Sequence, residues 1–409
     1  MSRAERVPRR ASGRRTIVVA GMSSVMGTLP VFLVGGLSVF IRDDLGIGPS
    51  ELGLVVATFF LSSAVTSAPG GRMTERIGAR RSMLAAAAVA GLALLGIGLL
   101  VDSLGSLALA MAIAGVGNGI AQPAGNLAIA RGVANGRQGL AFGMKQAAIP
   151  TATLIAGFLV AAVGVVIEWR AAFVLVASGA VVLALLMPED AYRTVLRPAG
   201  SLLREGDVPL LPLIVLSGAA FCGAAVGTSL ASFIVGSAVH GGVPTGTAGL
   251  LLIGGSVSGI LSRLAIGRAA DLREGGHLEV VMLLLGFGAL GFAGLALHGT
   301  GPMLLASTVL AFAAGWGWPG LFNFAVVRLN PNAPAAATAI TQTGVFIGGV
   351  VGPAAFGRAV DNFSYETAWV GAAATNVVGV GFIIVGRSLL RRAQDSSRPP
   401  SDARVGDDN

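Results

Sequence analysis

Twelve runs of apolar residues, each about 17 to 27 long and set apart by short polar breaks, leave this 409-residue chain few ways to fold. At a rise of 1.5 Å per residue, 18 or more apolar residues cross a bilayer core of about 30 Å. Hydrocarbon offers no partner to a backbone N–H or C=O, so a run of that length must be a helix. A membrane barrel would show alternating segments of about ten residues, a pattern missing here. Composition agrees: 54% of residues are hydrophobic and 12% charged, where a soluble domain carries about 25% charged residues. The expected fold is an all-α membrane protein with twelve transmembrane helices.

Helices are predicted at roughly 16–41, 50–71, 82–101, 105–131, 140–167, 171–188, 209–236, 246–267, 278–297, 302–328, 334–358 and 367–387. The first run follows an arginine-rich start but is too long for a secretory signal and lacks a small-residue cleavage site, so it reads as a retained span. Taken alternately, the breaks fall into two sets. The N-terminus, 72–81, 131–139, 189–208, 263–277, 328–333 and the C-terminal tail hold 24 of the 27 arginines, and the other set holds only Arg42, Arg170 and Arg358. That bias sets both termini in the cytoplasm of a cell with an inner, cytoplasmic membrane. It also accounts for the net charge of +8 without any nucleic-acid partner. Near-exclusive arginine with abundant Ala and Gly hints at a bacterial genome. The single cysteine, Cys222, lies in an apolar run and reads as a small buried hydrophobe.

The chain also repeats itself. Gly71-Arg72-Met73-Thr74-Glu75 returns as Gly267-Arg268-Ala269-Ala270-Asp271, 196 positions on, and Asn126 and Arg131 return as Asn323 and Arg328, 197 positions on. One shared offset, landing at equivalent helix ends, points to two homologous six-helix bundles related by an axis along the membrane normal, with a solute site between them. The expected units are residues 1–188, a central cytoplasmic loop 189–208, a second bundle 209–390 and a disordered tail 391–409.

Gly71-Arg72-Met73-Thr74-Glu75-Arg76-Ile77-Gly78-Ala79-Arg80-Arg81 resembles the loop motif between helices 2 and 3 of the major facilitator superfamily, G-x-x-x-D-R-x-G-x-R-R, with Glu75 where aspartate is usual. The partial copy at Gly267, Arg268 and Asp271 falls between helices 8 and 9, where that family often keeps a degraded second copy. The resemblance implies two pseudo-symmetric six-helix bundles, alternating access, and a latch in which Glu75 faces the N-terminus of helix 11. Gly71 permits close approach and Gly78 a tight turn with φ > 0; Arg76, Arg80 and Arg81 complete the motif, or serve only as positive flanks. Gly348 to Pro353 in helix 11 reads G-x-x-x-G-P, whose simpler account is close packing by small residues. Helix 5 lacks the glycines that drug antiporters of the family carry there.

A charge inside a span costs about 2.5–3.5 kcal/mol on insertion scales and is a functional candidate by default. Lys145, the sole lysine, is read as the one charge well inside a helix, followed by Gln146 and, one turn on, Pro150. The alternative is that it snorkels to the cytoplasmic interface. In helix 4, Asn118, Gln122 and Asn126 recur every four residues and share one face; Pro123 among them suits a broken helix lining a cavity. Helix 10 offers Trp316, Pro319 and Asn323, with Trp318 nearby, and helix 11 offers Thr338 and Gln342. In the family, helices 1, 4, 7 and 10 line the cavity, which suits these stripes.

One lysine, several amides and no carboxylate in the spans favour an anionic or neutral polar solute. The expected function is a secondary transporter for a small solute, with small organic anions as the lead class. Its partners are that solute, the bilayer, and a coupling proton or counter-substrate, the proton carried by Glu51, Asp361 or Lys145 if at all. Efflux of amphipathic drugs by proton antiport, and a non-transporting sensor with a carrier fold, are the competing readings. No paired nucleophile and base, metal cluster or P-loop appears, so neither enzyme chemistry, a cofactor nor a metal is expected, and the protein is taken as a monomer.

Overall fold

The computed structural model describes residues 13–133, 137–163, 168–187, 208–297, 301–330 and 334–396. Within them, twelve helices are long and apolar enough to cross a membrane. In chain order, spans 1 to 6 are Gly13–Gly36, Pro49–Ile77, Ala79–Leu100, Leu104–Ile129, Leu140–Ala162 and Trp169–Leu186. Spans 7 to 12 are Leu210–His240, Thr245–Asp271, His277–Ala296, Pro302–Leu329, Ala337–Asn362 and Tyr365–Ala393. The central loop expected at 189–208 lies outside the described residues up to 207. The last helix runs on to Ser396, past the limit of 390 set from composition, and the rest of the expected tail lies outside the described residues.

Three helices are less regular than their hydropathy implies. The first run is two helices, Gly13–Gly36 and Ser38–Leu45, jointed at Leu37 and closed by Gly46 at φ +64°. Span 5 is interrupted at Ala147, between Gln138–Gln146 and Ala148–Val163. The cause is local: Pro150 has no N–H to offer the carbonyl of Gln146 four residues back. Span 10 is the most broken, with a π-turn at Ala311–Gly315 and a fresh helix from Pro319. Span 4, where Pro123 suggested a break, is instead continuous from Leu104 to Gly132.

Small residues set the helix spacing. Lipid tails are as apolar as leucine, so helices associate through close van der Waals fit, which glycine permits. On span 11, Gly344, Gly348 and Gly352 lie against Ser217, Phe221 and Ala225 of span 7, so close that a methyl group on Gly352 would sit 2.5 Å from the Ala225 Cα. That contact supports the packing account of the G-x-x-x-G-P stretch.

The two halves of the chain meet along a seam with matched parts. Span 5 runs beside span 8: Gly157 and Gly249 abut backbone to backbone, and Thr153 Oγ1 and Ser256 Oγ share a hydrogen bond of 2.7 Å. Span 2 runs beside span 11 at the end away from the chain termini, where Gly53 meets Pro353 and Gly357 meets Pro49. Between them, Gly35 of span 1 rests on Ser232 of span 7.

Candidate functional site

A polar chain crosses the interior of the first six spans. Ser63 of span 2 accepts a hydrogen bond from Asn118 Nδ2 at 3.0 Å. Asn118 Oδ1 accepts from Gln122 Nε2 at 3.2 Å, and Gln122 Oε1 accepts from Lys145 Nζ at 2.7 Å. Ser63 Oγ in turn donates to the carbonyl of Phe59 or Gly115. The ammonium therefore heads a row of aligned neutral dipoles, with no carboxylate in the row. Lys145 is 3% exposed, so it does not snorkel. Its stem passes Gly125, where a methyl group would lie 3.0 Å from the lysine Cε. The joint at Ala147 comes two residues later.

The three amides of span 4 do not share one environment. Asn118 and Gln122 turn inward, whereas Asn126 is exposed and stands apart from the row. A period of four drifts around a 3.6-residue helix, and two turns beyond Asn118 the drift has carried Asn126 off the buried face. Gln146 approaches span 10 at Gly320; Asn323 and Gln342 are half-buried. Trp316 and Trp318 are both fully enclosed. The Trp316 ring meets Phe32 of span 1 edge-on at 5.4 Å and Phe312 at 5.9 Å, and it fills the space above Gly227 of span 7. It therefore joins the two halves of the molecule at their centre.

Sequence reasoning missed a second interior cation. Arg263, counted with the polar break 263–277, lies inside span 8 and is 2% exposed. Its Nη1 donates to the Gly259 carbonyl at 3.2 Å and its Nη2 to the Trp316 carbonyl, while the guanidinium stands 5.5 Å from the Trp316 ring centre. The Trp316 carbonyl is available because span 10 leaves helical form there. Lys145 is consequently not the sole charge inside a span, and among the described residues it and Arg263 are the only buried charged side chains.

The gating motif is visible at both copies, differently. Gly78 adopts φ +90° and turns span 2 into span 3, as its place in the motif required. Gly71 faces Pro123 of span 4. Arg72, Glu75, Arg76 and Arg81 are exposed; residues 331–333, just before span 11, lie outside the described residues, so the Glu75 latch has no described partner there. The second copy does cross the seam. Asp271 Oδ2 accepts from the Leu140 N–H at 3.1 Å, one of the N–H groups that the first turn of a helix leaves free. Gly267 lies against Gly143 of span 5, and Arg268 points outward, exposed. At the far end Asp361 does the same for span 2, its Oδ2 accepting from the Ser50 N–H at 2.8 Å. Glu51 caps the Gly48 N–H. Glu51 and Asp361, two of the three suggested proton carriers, thus serve as helix caps in this arrangement.

Removing the Asp271 cap should carry a measurable cost. Asp271→Ala is expected to lower the stability of purified protein by about 0.5–2 kcal/mol, the usual range for a lost helix cap. Asp271→Asn keeps an acceptor oxygen and should lose less, the residue of the effect being the charge–dipole part, about 0.3–1 kcal/mol. Thermal unfolding of the two variants side by side checks the order.

Twelve spans, a doubled loop motif and a two-part seam meet one further observation: residues 16–272 match the sequence profile of the Major Facilitator Superfamily. The chain belongs to this superfamily. It is a multi-pass membrane transporter, and the matched stretch covers spans 1 to 8 with both copies of the loop motif. No curated protein sequence matches the chain closely enough to count as a relative. Within this major facilitator protein, the polar row lies on spans 2, 4 and 5 and the Arg263–Trp316 contact on spans 8 and 10.

Proposed function

We propose that this transporter carries a small organic anion across the cytoplasmic membrane, its two six-helix bundles rocking about a central site and both termini lying in the cytoplasm. The arginine-rich breaks support the orientation. The observation that carries the solute class is the charge inventory: two buried cations, Lys145 and Arg263, each resting on neutral oxygens alone. An ion taken out of water into protein loses several kcal/mol of solvation, which neutral dipoles restore only in part. A solute carboxylate entering as the seam opens supplies the missing charge. At 4 Å and an effective dielectric of about 20, one such pair is worth about 4 kcal/mol. An organic cation meets repulsion from the same two groups, which disfavours the drug-efflux reading. Exchange of one anion for another would need no embedded carboxylate to carry protons.

The test is ligand-induced thermal stabilisation in detergent, screening small carboxylates, neutral polar metabolites and lipophilic cations. A solute that binds only folded protein stabilises it by about 2.7 kcal/mol at 100 times its dissociation constant. Carboxylates should raise the melting temperature of wild type and fail to raise that of Lys145→Ala. Equal stabilisation of both proteins by lipophilic cations would sink the proposal and make efflux the better account.

A further inference from the structure

The end of span 12 nearest the C-terminal tail carries a feature that the solute site does not use. Val370, Val377, Ile384 and Arg391 recur at intervals of seven, and all four are exposed. Seven residues make almost two turns of helix, so the four lie along one stripe. No other helix covers its three apolar members, which leaves them to hydrocarbon. At 1.5 Å per residue Ile384 stands about 29 Å along the helix from Tyr365, close to the thickness of a bilayer core. Beyond that point the stripe changes chemistry. A hollow of about 280 Å³ opens among Ile384, Arg387, Ser388, Arg391 and Arg392. Arg387 is tied to Glu279, the acidic residue in the first turn of span 9, so its charge is met. Arg391 and Arg392 are exposed and make no ion pair among the described residues.

We propose that this hollow seats the phosphate of an anionic phospholipid with no amine in its headgroup, one acyl chain lying along Ile384, Val377 and Val370. The proposal is independent of which solute the protein carries. Helix side chains lean toward the N-terminus, so Arg391 and Arg392 reach back into the headgroup layer, which adds about 5–8 Å to each side of the core. Guanidinium forks match phosphate oxygens in pairs, and the Ser388 hydroxyl on the same wall is a further donor. The Glu279 carboxylate sits on Arg387, leaving Arg391 and Arg392 as the groups that bind. The ammonium of a zwitterionic lipid meets repulsion from both. Arginines near a helix C-terminus also suit the helix dipole, and a cytoplasmic flank collects positive charge, but neither rule calls for a hollow that continues a lipid-facing stripe. A basic pocket at the end of a span is the geometry that holds acidic headgroups.

Full-length protein, stripped of lipid in a neutral detergent, is titrated with dioctanoyl phosphatidylglycerol, dioctanoyl phosphatidylcholine and glycerol 3-phosphate, and its melting temperature followed. Wild type is compared with Arg391→Gln/Arg392→Gln, with Ser388→Glu, and with Arg14→Gln/Arg15→Gln, which removes the same charge near the other end of the chain. All the substituted residues are exposed, so each variant should fold; Ser388→Glu supplies the test if the arginine pair does not. Phosphatidylglycerol should stabilise wild type at a half-maximal concentration at least about tenfold below that of phosphatidylcholine. Each basic residue beside an anionic lipid surface strengthens binding by about fivefold, so losing Arg391 and Arg392 should raise the phosphatidylglycerol value at least about tenfold and erase the preference. Ser388→Glu should do the same by placing a like charge in the hollow, while Arg14→Gln/Arg15→Gln should stay within about twofold of wild type. Phosphatidylglycerol acting alike on wild type and both hollow variants, or no better than phosphatidylcholine on wild type, would overturn the lipid site. Equal stabilisation by glycerol 3-phosphate, which has no acyl chain, would overturn it too, by making the hollow a site for soluble anions.

Discussion

Lys145→Leu is expected to cut carboxylate uptake into proteoliposomes by about a hundredfold or more, yet to melt at or above the wild-type temperature. The two effects come from one cause. Lys145 is 3% exposed and its ammonium donates to the neutral Gln122 Oε1. Replacing a buried charge by an apolar side chain of similar size is often neutral or stabilising, by 1–4 kcal/mol in favourable cases. Gln122 loses a donor, but it is only half-buried and keeps its bond to Asn118. For the solute the balance reverses, because removing one partner of a desolvated charge pair costs about 2–5 kcal/mol of binding, and 2.7 kcal/mol is already a factor of about a hundred. Such a trade of stability for function is usual at binding sites. Lys145→Arg should recover part of the uptake, since it restores the charge on a bulkier head group. A leucine variant that unfolds at lower temperature and still transports would show that the lysine is a structural strut.

What the sequence discloses about this protein divides along a physical line. Span number and the doubled loop motif are one-dimensional facts: hydrocarbon demands about twenty apolar residues per crossing, and a turn with φ > 0 demands glycine at position 78. Both are legible residue by residue. The proline-induced joint in span 5 belongs with them, since a missing N–H at Pro150 is a property of the residue itself. Whether a cation turns inward or snorkels is different, because it depends on what a neighbouring helix presents. Lys145 finds Gln122, 23 positions away, and Arg263 finds the carbonyl of Trp316, 53 positions away. Counted by position, Arg263 looked like one more positive flank. One signal did point to it: the sequence Gly315-Trp316-Gly317-Trp318-Pro319 is poor helix-forming material in the middle of a span, and unwound backbone at membrane depth needs polar partners from elsewhere in the protein. Asn126 is the opposite case, exposed where its neighbours in the stripe turn inward. Its spacing matched the stripe, but a four-residue period leaves a 3.6-residue helix face within two turns. Of the two copies of the loop motif, the poorer one supplies the described cross-seam contact, through Asp271, while the residues just before span 11, expected opposite Glu75, lie outside the described residues.

The second large effect is expected at the other end of the seam. Gly53→Val should abolish transport by preventing spans 2 and 11 from closing, and should leave the molecule open at the end away from its termini. A methyl group at Gly53 would lie 3.0 Å from the Pro353 carbonyl carbon and 3.2 Å from the Ala354 Cα, and closer still to the Pro353 oxygen. These are backbone atoms of a helix, which cannot rotate aside as a side chain can. Overpacking of this kind costs about 1–3 kcal/mol, levied only on the closed form, and each 1.4 kcal/mol moves the equilibrium tenfold. A cysteine at Ser232 reads the result. Ser232 is 1% exposed and lies where Gly35 of span 1 meets span 7, so it becomes reachable only when the halves part. In a Cys222→Ser background, Ser232→Cys should react with a water-soluble thiol reagent at least about tenfold faster when Gly53→Val is present. Gly96→Val is the matched control, since nothing lies within 4 Å of that position; it should leave both labelling and uptake unchanged. Equal labelling with glycine or valine at position 53 would mean that closure at this end does not depend on the backbone contact between spans 2 and 11. The rocking movement would then have to turn about the seam of spans 5 and 8 alone, with the Asp361 cap on span 2 left as a passenger.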